Sequence, residues 1–338
     1  MDIITRHFVD IANADGSSRR VHYRKAGSGP PLLMVHQSPR SSAEYGELMR
    51  QWSAHFMCIA PDTPGFGQSD PLPGEPEIED FADALILLLD ALGIDRCPAY
   101  GFHSGGIILM TAMKRHARRF TGMAMGGYAV WTPQEMALFS ESYLPAFVPS
   151  KYGEHLTWLW NRMLEQSWFF PWFDTRPQAR LPGAHADLPR VSAAILEMLD
   201  SGEAYRAGYG AVLRAKRDIP DVDADVPPCL ITAYDGDPLQ VHIDRLGEMP
   251  KGWSARKVAT DHDHQANSLA FLCSLPQADP LTPRETDQEG FLAIDTGDFN
   301  GLIHWKRSGR PGPLRVHAPG REAGLLDEYV DQIPAETL

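Results

Sequence analysis

Ala99-Tyr-Gly-Phe-His-Ser-Gly-Gly-Ile-Ile108 runs from a short apolar strand, Ala99-Tyr100, through a turn bracketed by glycines into a helix predicted over residues 107–118. Glycines at 101, 105 and 106 let backbone segments approach where a Cβ would collide. The same order repeats outward. Upstream, Pro31-Leu-Leu-Met-Val-His36 is a continuous apolar run, as in a strand buried on both faces. A helix over about 43–55 follows, then a strand over 56–60 that breaks at Pro61. From Ile78, apolar residues recur at Phe81, Ala82, Leu85, Leu88, Leu89 and Leu92, the spacing of one helix face, and Gly93 ends that helix. Downstream, 122–129 reads as a strand. Strands alternating with helices of this length predict right-handed βαβ units and a mostly parallel, doubly wound α/β sheet. Ahead of it, 7–26 reads as two strands around Asp15-Gly16, a hairpin signal.

After Val130 the pattern changes. Residues 131–217 are rich in aromatics and helical in spacing, and hold five of the eight tryptophans: Trp131, Trp158, Trp160, Trp168 and Trp172. The alternation resumes at Pro228-Cys-Leu-Ile-Thr-Ala-Tyr234, then at 256–259, then in a helix near 266–275. A parallel sheet interrupted and resumed is a core with an inserted cap: core 1–130 and 218–275, helical cap 131–217. Residues 276–338 form a C-terminal extension that opens on a Pro-rich, acidic linker. Its predicted elements are strands over 291–294, 302–306 and 314–317 and a helix over 322–330. An extra edge on the core or a dimer arm would both suit it, so a homodimer is one expected assembly.

The 338 residues carry a formal net charge of −13, which argues against a nucleic-acid partner, since a phosphate backbone calls for a basic face. Hydrophobic residues at 43% and charged residues at 22% are a globular composition. Cys58, Cys97, Cys229 and Cys273 are far apart, and three lie in apolar runs, as buried free thiols do. A reduced compartment follows as the expectation. No stretch has the pattern of a signal peptide or the length of a membrane span, so a cytoplasmic protein without a membrane partner is expected.

In chain order stand Val35-His36-Gln37-Ser38-Pro39 after the third strand, Asp62-Thr-Pro-Gly-Phe-Gly67 after the fourth, the glycine-bracketed turn, Asp237 after a late strand and histidines at the end. Over roughly residues 18–275 this resembles the α/β-hydrolase superfamily, in particular its capped branch with haloalkane dehalogenases, epoxide hydrolases and C–C hydrolases. The resemblance implies an α/β-hydrolase fold with an inserted helical cap and, at Gly101 to Gly106, the nucleophile elbow. That turn needs small residues two before and two after its apex. With Ser104 at the apex the flanks are Phe102 and Gly106, which would distort the turn. With His103 at the apex they are Gly101 and Gly105, and Gly106 adds a further close approach. Sterics favour His103, where the family carries Ser, Asp or Cys.

The resemblance assigns further roles. The N–H groups of Ser104 and Ser38 would form the oxyanion hole. Gln37 stands where the family usually has glycine and would put a polar side chain in the pocket. Arg40, nearby, would bind a substrate carboxylate or face solvent. Asp237, with Asp235 in reserve, would orient a histidine through its ring N–H. In Thr260-Asp-His-Asp-His-Gln265 the late histidine is His264 in preference to His262; a metal ligated by this alternating loop is disfavoured. The aromatic insert, with His155 and Arg162 as its polar candidates, would close an apolar pocket.

An imidazole at the apex can attack a carbonyl directly, or act as base toward water or a carbon acid. The expected protein is a cofactor-independent enzyme, with no metal, hydrolysing a small apolar carbonyl compound: an ester, a lactone or a C–C bond. A lyase or decarboxylase using the same histidine, and a small-molecule binding protein without catalysis, are the two alternatives.

Overall fold

In the computed structural model the described residues are 3–12, 16–182, 187–278, 280, 289–295, 300–307 and 336–337. The chain divides into two compact units, Met1–Leu281 and Thr282–Leu338. In the first, strands β1 (Thr5–Ala12), β2 (Ser18–Ala26), β3 (Pro31–Val35), β4 (Met57–Pro61), β5 (Cys97–Phe102), β6 (Phe120–Gly126), β7 (Cys229–Tyr234) and β8 (Trp253–Val258) make one sheet in the order β1-β2-β4-β3-β5-β6-β7-β8. The hairpin β1–β2 and the pair β2–β4 are antiparallel; the remaining pairs are parallel.

Alternation of side chains across the sheet divides the core. Leu33, Val35 and Ile59 face the layer that contains α2 (Ile78–Ala91) and α3 (Ser104–His116). Leu32, Met34 and Cys58 face the layer of α1 (Gly46–Trp52) and α8 (Asp261–Ser274). The buried residues of α2 include Phe81, Ala82, Leu85, Leu88 and Leu89, the predicted face, and Glu77 and Asp80 cap its start reciprocally.

Several boundaries differ from expectation for local reasons. The predicted helix over 43–55 is a 3₁₀ turn, Ser42–Tyr45, capped by the Ser41 side chain and continued by the short α1. Helix α3 begins at Ser104 because the turn before it takes a single residue, and Ser104, Gly105 and Gly106 form its first turn. Strand β6 stops at Gly126, where Gly127 turns the chain with φ 56°. Helix α8 begins at Asp261 because Thr260 and Asp263 form a capping box, so the alternating His and Asp residues are helical.

Residues 131–217 contribute no strand to the sheet among the described residues. They supply α4 (Pro133–Ser142), α5 (Glu154–Gln166), α6 (Leu188–Ser201) and α7 (Ala204–Arg214), and α7 packs on α2 and α3. The second unit holds β9 (Glu289–Asp295), β10 (Asn300–Arg307) and β11 (Glu336–Thr337) in an antiparallel sheet, order β11-β10-β9. Its first two strands contain the predicted 291–294 and 302–306. The predicted strand 314–317 and helix 322–330 lie outside the described residues.

Candidate active site

The chain passes from β3 outward to β4, then returns to place β5 on the other flank of β3. At such a switch point the connections leaving neighbouring strands diverge, opening a crevice at their carboxyl ends. The loop after β3 and the turn after β5 meet there.

The apex of the turn is His103, with φ 48° and ψ −114°, and no other described non-glycine residue has positive φ. Such backbone costs on the order of 1–3 kcal/mol and persists only where the surroundings impose it. They do so through the glycines. A Cβ on Gly105 would lie 2.0 Å from the Val35 carbonyl oxygen, and one on Gly101 would lie 2.9 Å from the Gly105 carbonyl carbon. Gly106 differs: its Cβ would meet Met125 at 3.8 Å, an ordinary contact, so the extra close approach expected there is absent. Gly105→Ala should therefore destabilise by about 1–3 kcal/mol or more, because backbone must move. Gly106→Ala should be neutral or stabilising by about 0.5–1 kcal/mol through helix propensity. Urea unfolding of the two variants reads the difference directly.

His103 Nε2 lies 3.1 and 3.2 Å from the two Asp237 carboxylate oxygens. Asp237 is buried, and its Oδ1 also accepts the Leu239 N–H at 2.8 Å. Burial works against ionisation, but the facing imidazole and the Leu239 N–H outweigh it and hold the carboxyl below its ordinary range. Phe102 stacks on the His103 ring at 4.1 Å between centroids. Gly127 makes room for the pair: a Cβ there would be 2.4 Å from His103 Cδ2 and 2.6 Å from Asp237 Oδ2.

The histidine that Asp237 meets is thus the one at the apex, not the late one. His264 is fully buried, with Nε2 2.8 Å from the Tyr100 hydroxyl and Nδ1 2.5 Å from the Thr232 hydroxyl. Burial pushes its pKa down to about 4, so the ring is neutral at pH 7. His262 is exposed in the first turn of α8. Asp235 is exposed too, and accepts a hydrogen bond from the Gln240 side chain.

The β3 loop is held more tightly than expected. His36 is an internal tie: Nδ1 donates to the Gln37 carbonyl at 3.0 Å, and Nε2 accepts the Thr63 N–H at 2.9 Å. Gln37 donates its backbone and side-chain N–H groups to Glu44, whose carboxyl is raised above its ordinary range, chiefly by burial. The Ser38 N–H donates to Ser104 Oγ at 2.5 Å, so the expected oxyanion donor already has a partner. Arg40 is neither free for a substrate nor turned to solvent. Its Nε and Nη2 donate to Glu197 Oε1 of α6, while the N–H and hydroxyl of Ser41 donate to Oε2.

His103, Ser104, Gln37, Ser38 and Arg40 all line one cavity of about 670 Å³. The aromatic insert also lines it, with Trp131, Phe139, Tyr143 and Phe170 packed largely edge to face. Gly127, Phe102, Glu44, Glu197 and Thr232 escaped sequence reasoning; of these only Gly127, in a Gly-Gly pair closing a strand, left a local mark. Among the described residues no three His, Cys, Asp or Glu side chains gather as a metal site, and no helix is long and apolar enough to cross a membrane. The four cysteines are free, three of them buried.

A family model described as alpha/beta hydrolase fold matches residues 30–206. Haloalkane dehalogenase 2 of Mycobacterium tuberculosis is 32% identical over 140 residues, which are 41% of this chain and 49% of that protein. The chain thus spans about half the length of the curated dehalogenases it matches. Among solved structures, a thermophilic esterase from Thermogutta terrifontis superposes with TM-score 0.59 at 16% identity, over 79% of this chain and 100% of that one. Epoxide hydrolase A from Mycobacterium thermoresistibile gives TM-score 0.58 at 15% identity, over 82% and 100%. At these identities the two structures speak to the fold alone.

Proposed function

The chain belongs to the α/β-hydrolase fold family, and from that footing we propose that it hydrolyses a small carbonyl compound with a largely apolar body, an ester, a lactone or an activated C–C bond, using His103 as general base. The observation that carries this reading is the direct pairing of His103 Nε2 with the buried Asp237 carboxylate. With Nε2–H donated to Asp237, Nδ1 is left to accept a proton. It takes one from a water molecule as the water oxygen bonds to the substrate carbonyl carbon. Asp237 stabilises the resulting imidazolium. The imidazolium then returns the proton to the leaving oxygen or carbon as the tetrahedral adduct collapses.

Ser104 has a different part. Its hydroxyl accepts the Ser38 N–H, which polarises its own proton for donation to the developing oxyanion. As a nucleophile it has no base in hydrogen-bond contact: its hydroxyl meets the Ser38 N–H, while His103 Nε2 faces Asp237 and both ring nitrogens of His264 face the Tyr100 and Thr232 hydroxyls. The helices of 131–217 act in this reading as a cap that closes the aromatic wall over the substrate and excludes water not engaged in attack.

Turnover of p-nitrophenyl butyrate, with a mass spectrum of the acid-quenched enzyme, tests the proposal. General-base catalysis leaves the protein at its unmodified mass throughout turnover. An acyl adduct on Ser104 would sink the assignment of His103. No turnover across a panel of esters and lactones would sink hydrolysis itself.

A further inference from the structure

The wall of the cavity holds a charge that nothing in the described protein balances. Arg217 lies on it, and its Nη2 donates to the Val212 carbonyl, but Nε and Nη1 are buried without a partner. Burial pulls its pKa down to about 10; only the Tyr128 and Tyr209 phenols, and no carboxylate, act against that fall. Arg162, 1% exposed in α5, likewise has buried nitrogens without a partner. One nitrogen reaches Gln166 and the Met163 sulfur, the guanidinium lies 5.0 Å from the Trp172 ring centroid, and Nε and Nη2 have no partner. The two charges share a neighbour: burial raises the Tyr209 phenol's pKa, and Arg162 and Arg217 both pull against the rise. Tyr209 is itself a wall residue.

The other charges on the wall do not compensate. Arg40 is matched by Glu197, and Asp187 is exposed, with one oxygen accepting the Arg190 N–H to cap α6. In a chain of net charge −13, two buried guanidinium groups without carboxylates are a cost to folding unless an anion joins them.

We propose that the substrate carries a carboxylate on its apolar body, with Arg217 as its counter-charge and Arg162 adding to the same positive field. The proposal rests on the reading of this cavity as the substrate site. Arg190 also lines the cavity but is exposed, so Arg217 is the guanidinium there with buried, unpartnered nitrogens, and one such group on an aromatic wall without lysine suits a monoanion rather than a phosphate dianion.

Calorimetric titration of the full chain with phenylacetate and with phenylacetamide, its neutral counterpart, reads the charge alone. The carboxylate should bind at least about tenfold more tightly. Arg217→Gln should abolish that preference with amide affinity unchanged, and Arg217→Lys should keep part of it. Equal affinities in the wild type, no binding of either probe, or a preference undiminished in Arg217→Gln overturns the proposal. So does inorganic phosphate displacing phenylacetate at similar concentration. Removing an uncompensated buried cation should leave the melting temperature of Arg217→Met at or above that of the wild type. A marked fall would show the charge already balanced within the fold and overturn the inference. Because the readout is binding, a clear carboxylate preference in a chain that hydrolyses no ester leaves this inference standing while the hydrolytic reading falls.

Discussion

His103→Ala should lower kcat/KM for a chromogenic ester by about three orders of magnitude, within the range of 10²–10⁴ for loss of a positioned general base. Asp237→Asn should come close to it, because an amide facing Nε2 no longer fixes the tautomer that leaves Nδ1 free. The two groups act as a unit, so the double variant should be little worse than either single one. Ser104→Ala should cost less, roughly 10- to 100-fold, since it removes one oxyanion donor and releases the Ser38 N–H to serve in its place. An inactive Ser104→Ala variant beside a His103→Ala variant near wild type would reverse the assignment. Gly127→Ala separates geometry from chemistry. It keeps both groups, yet its Cβ would lie within 2.6 Å of each, so the pair must part and activity should fall as in His103→Ala.

The register of the turn was legible because it is a steric question with a local answer: Gly101 and Gly105 flank the apex, and their missing Cβ atoms are what β3 and α3 require. The parallel order and the aromatic insert were legible for a similar reason, since periodicity and composition are properties of short windows. The partner of Asp237 was not. His264 is much nearer to it in sequence than His103, which is 134 residues away, yet side-chain packing selects His103. Phe102 packs against both rings, and hydroxyls of β5 and β7 tie His264 away. The anchoring of Arg40 was hidden in the same way, because Glu197 lies 157 residues on, in an insert whose docking the sequence does not encode locally. The first turn of α8 shows the converse case. Thr260 and Asp263 are a readable capping box, and reading them would have put His264 inside the helix on a buried face.

Asp62→Ala should cost at least about 3 kcal/mol of folding stability, because it removes several hydrogen bonds to one buried charge, each worth about 1.5–3 kcal/mol. Asp62 is 2% exposed and belongs to the turn, not to the cavity. Its Oδ1 accepts the Ser42 N–H at 2.8 Å; its Oδ2 accepts the Gln68 N–H at 2.9 Å and His22 Nδ1 at 2.7 Å. Gly67 leaves space for the carboxylate, as a Cβ there would sit 2.1 Å from Oδ2. One side chain therefore ties β2, the end of β4 and the turn before α1 together, and its loss leaves His22 Nδ1 and the Ser42 and Gln68 amides without that partner. Burial opposes its ionisation, but His22 and the Ser42 N–H prevail and hold the carboxyl far below its ordinary 3.8. The sign follows from the lowered value: the contribution is full above the unfolded pKa and is lost as pH falls from there toward the folded one. The gap between wild type and Asp62→Ala in urea unfolding should thus stay constant from pH 8 to about pH 4 and narrow only below. The wild type should weaken earlier, from about pH 6.5 downward, because burial holds His22 below that value and His242 and His264 at about 4. The unfolded chain takes up those protons before the folded one can. A gap that does not narrow below pH 4 would mean that Asp62 titrates in its ordinary range in the folded chain, and that the turn is not held by its charge.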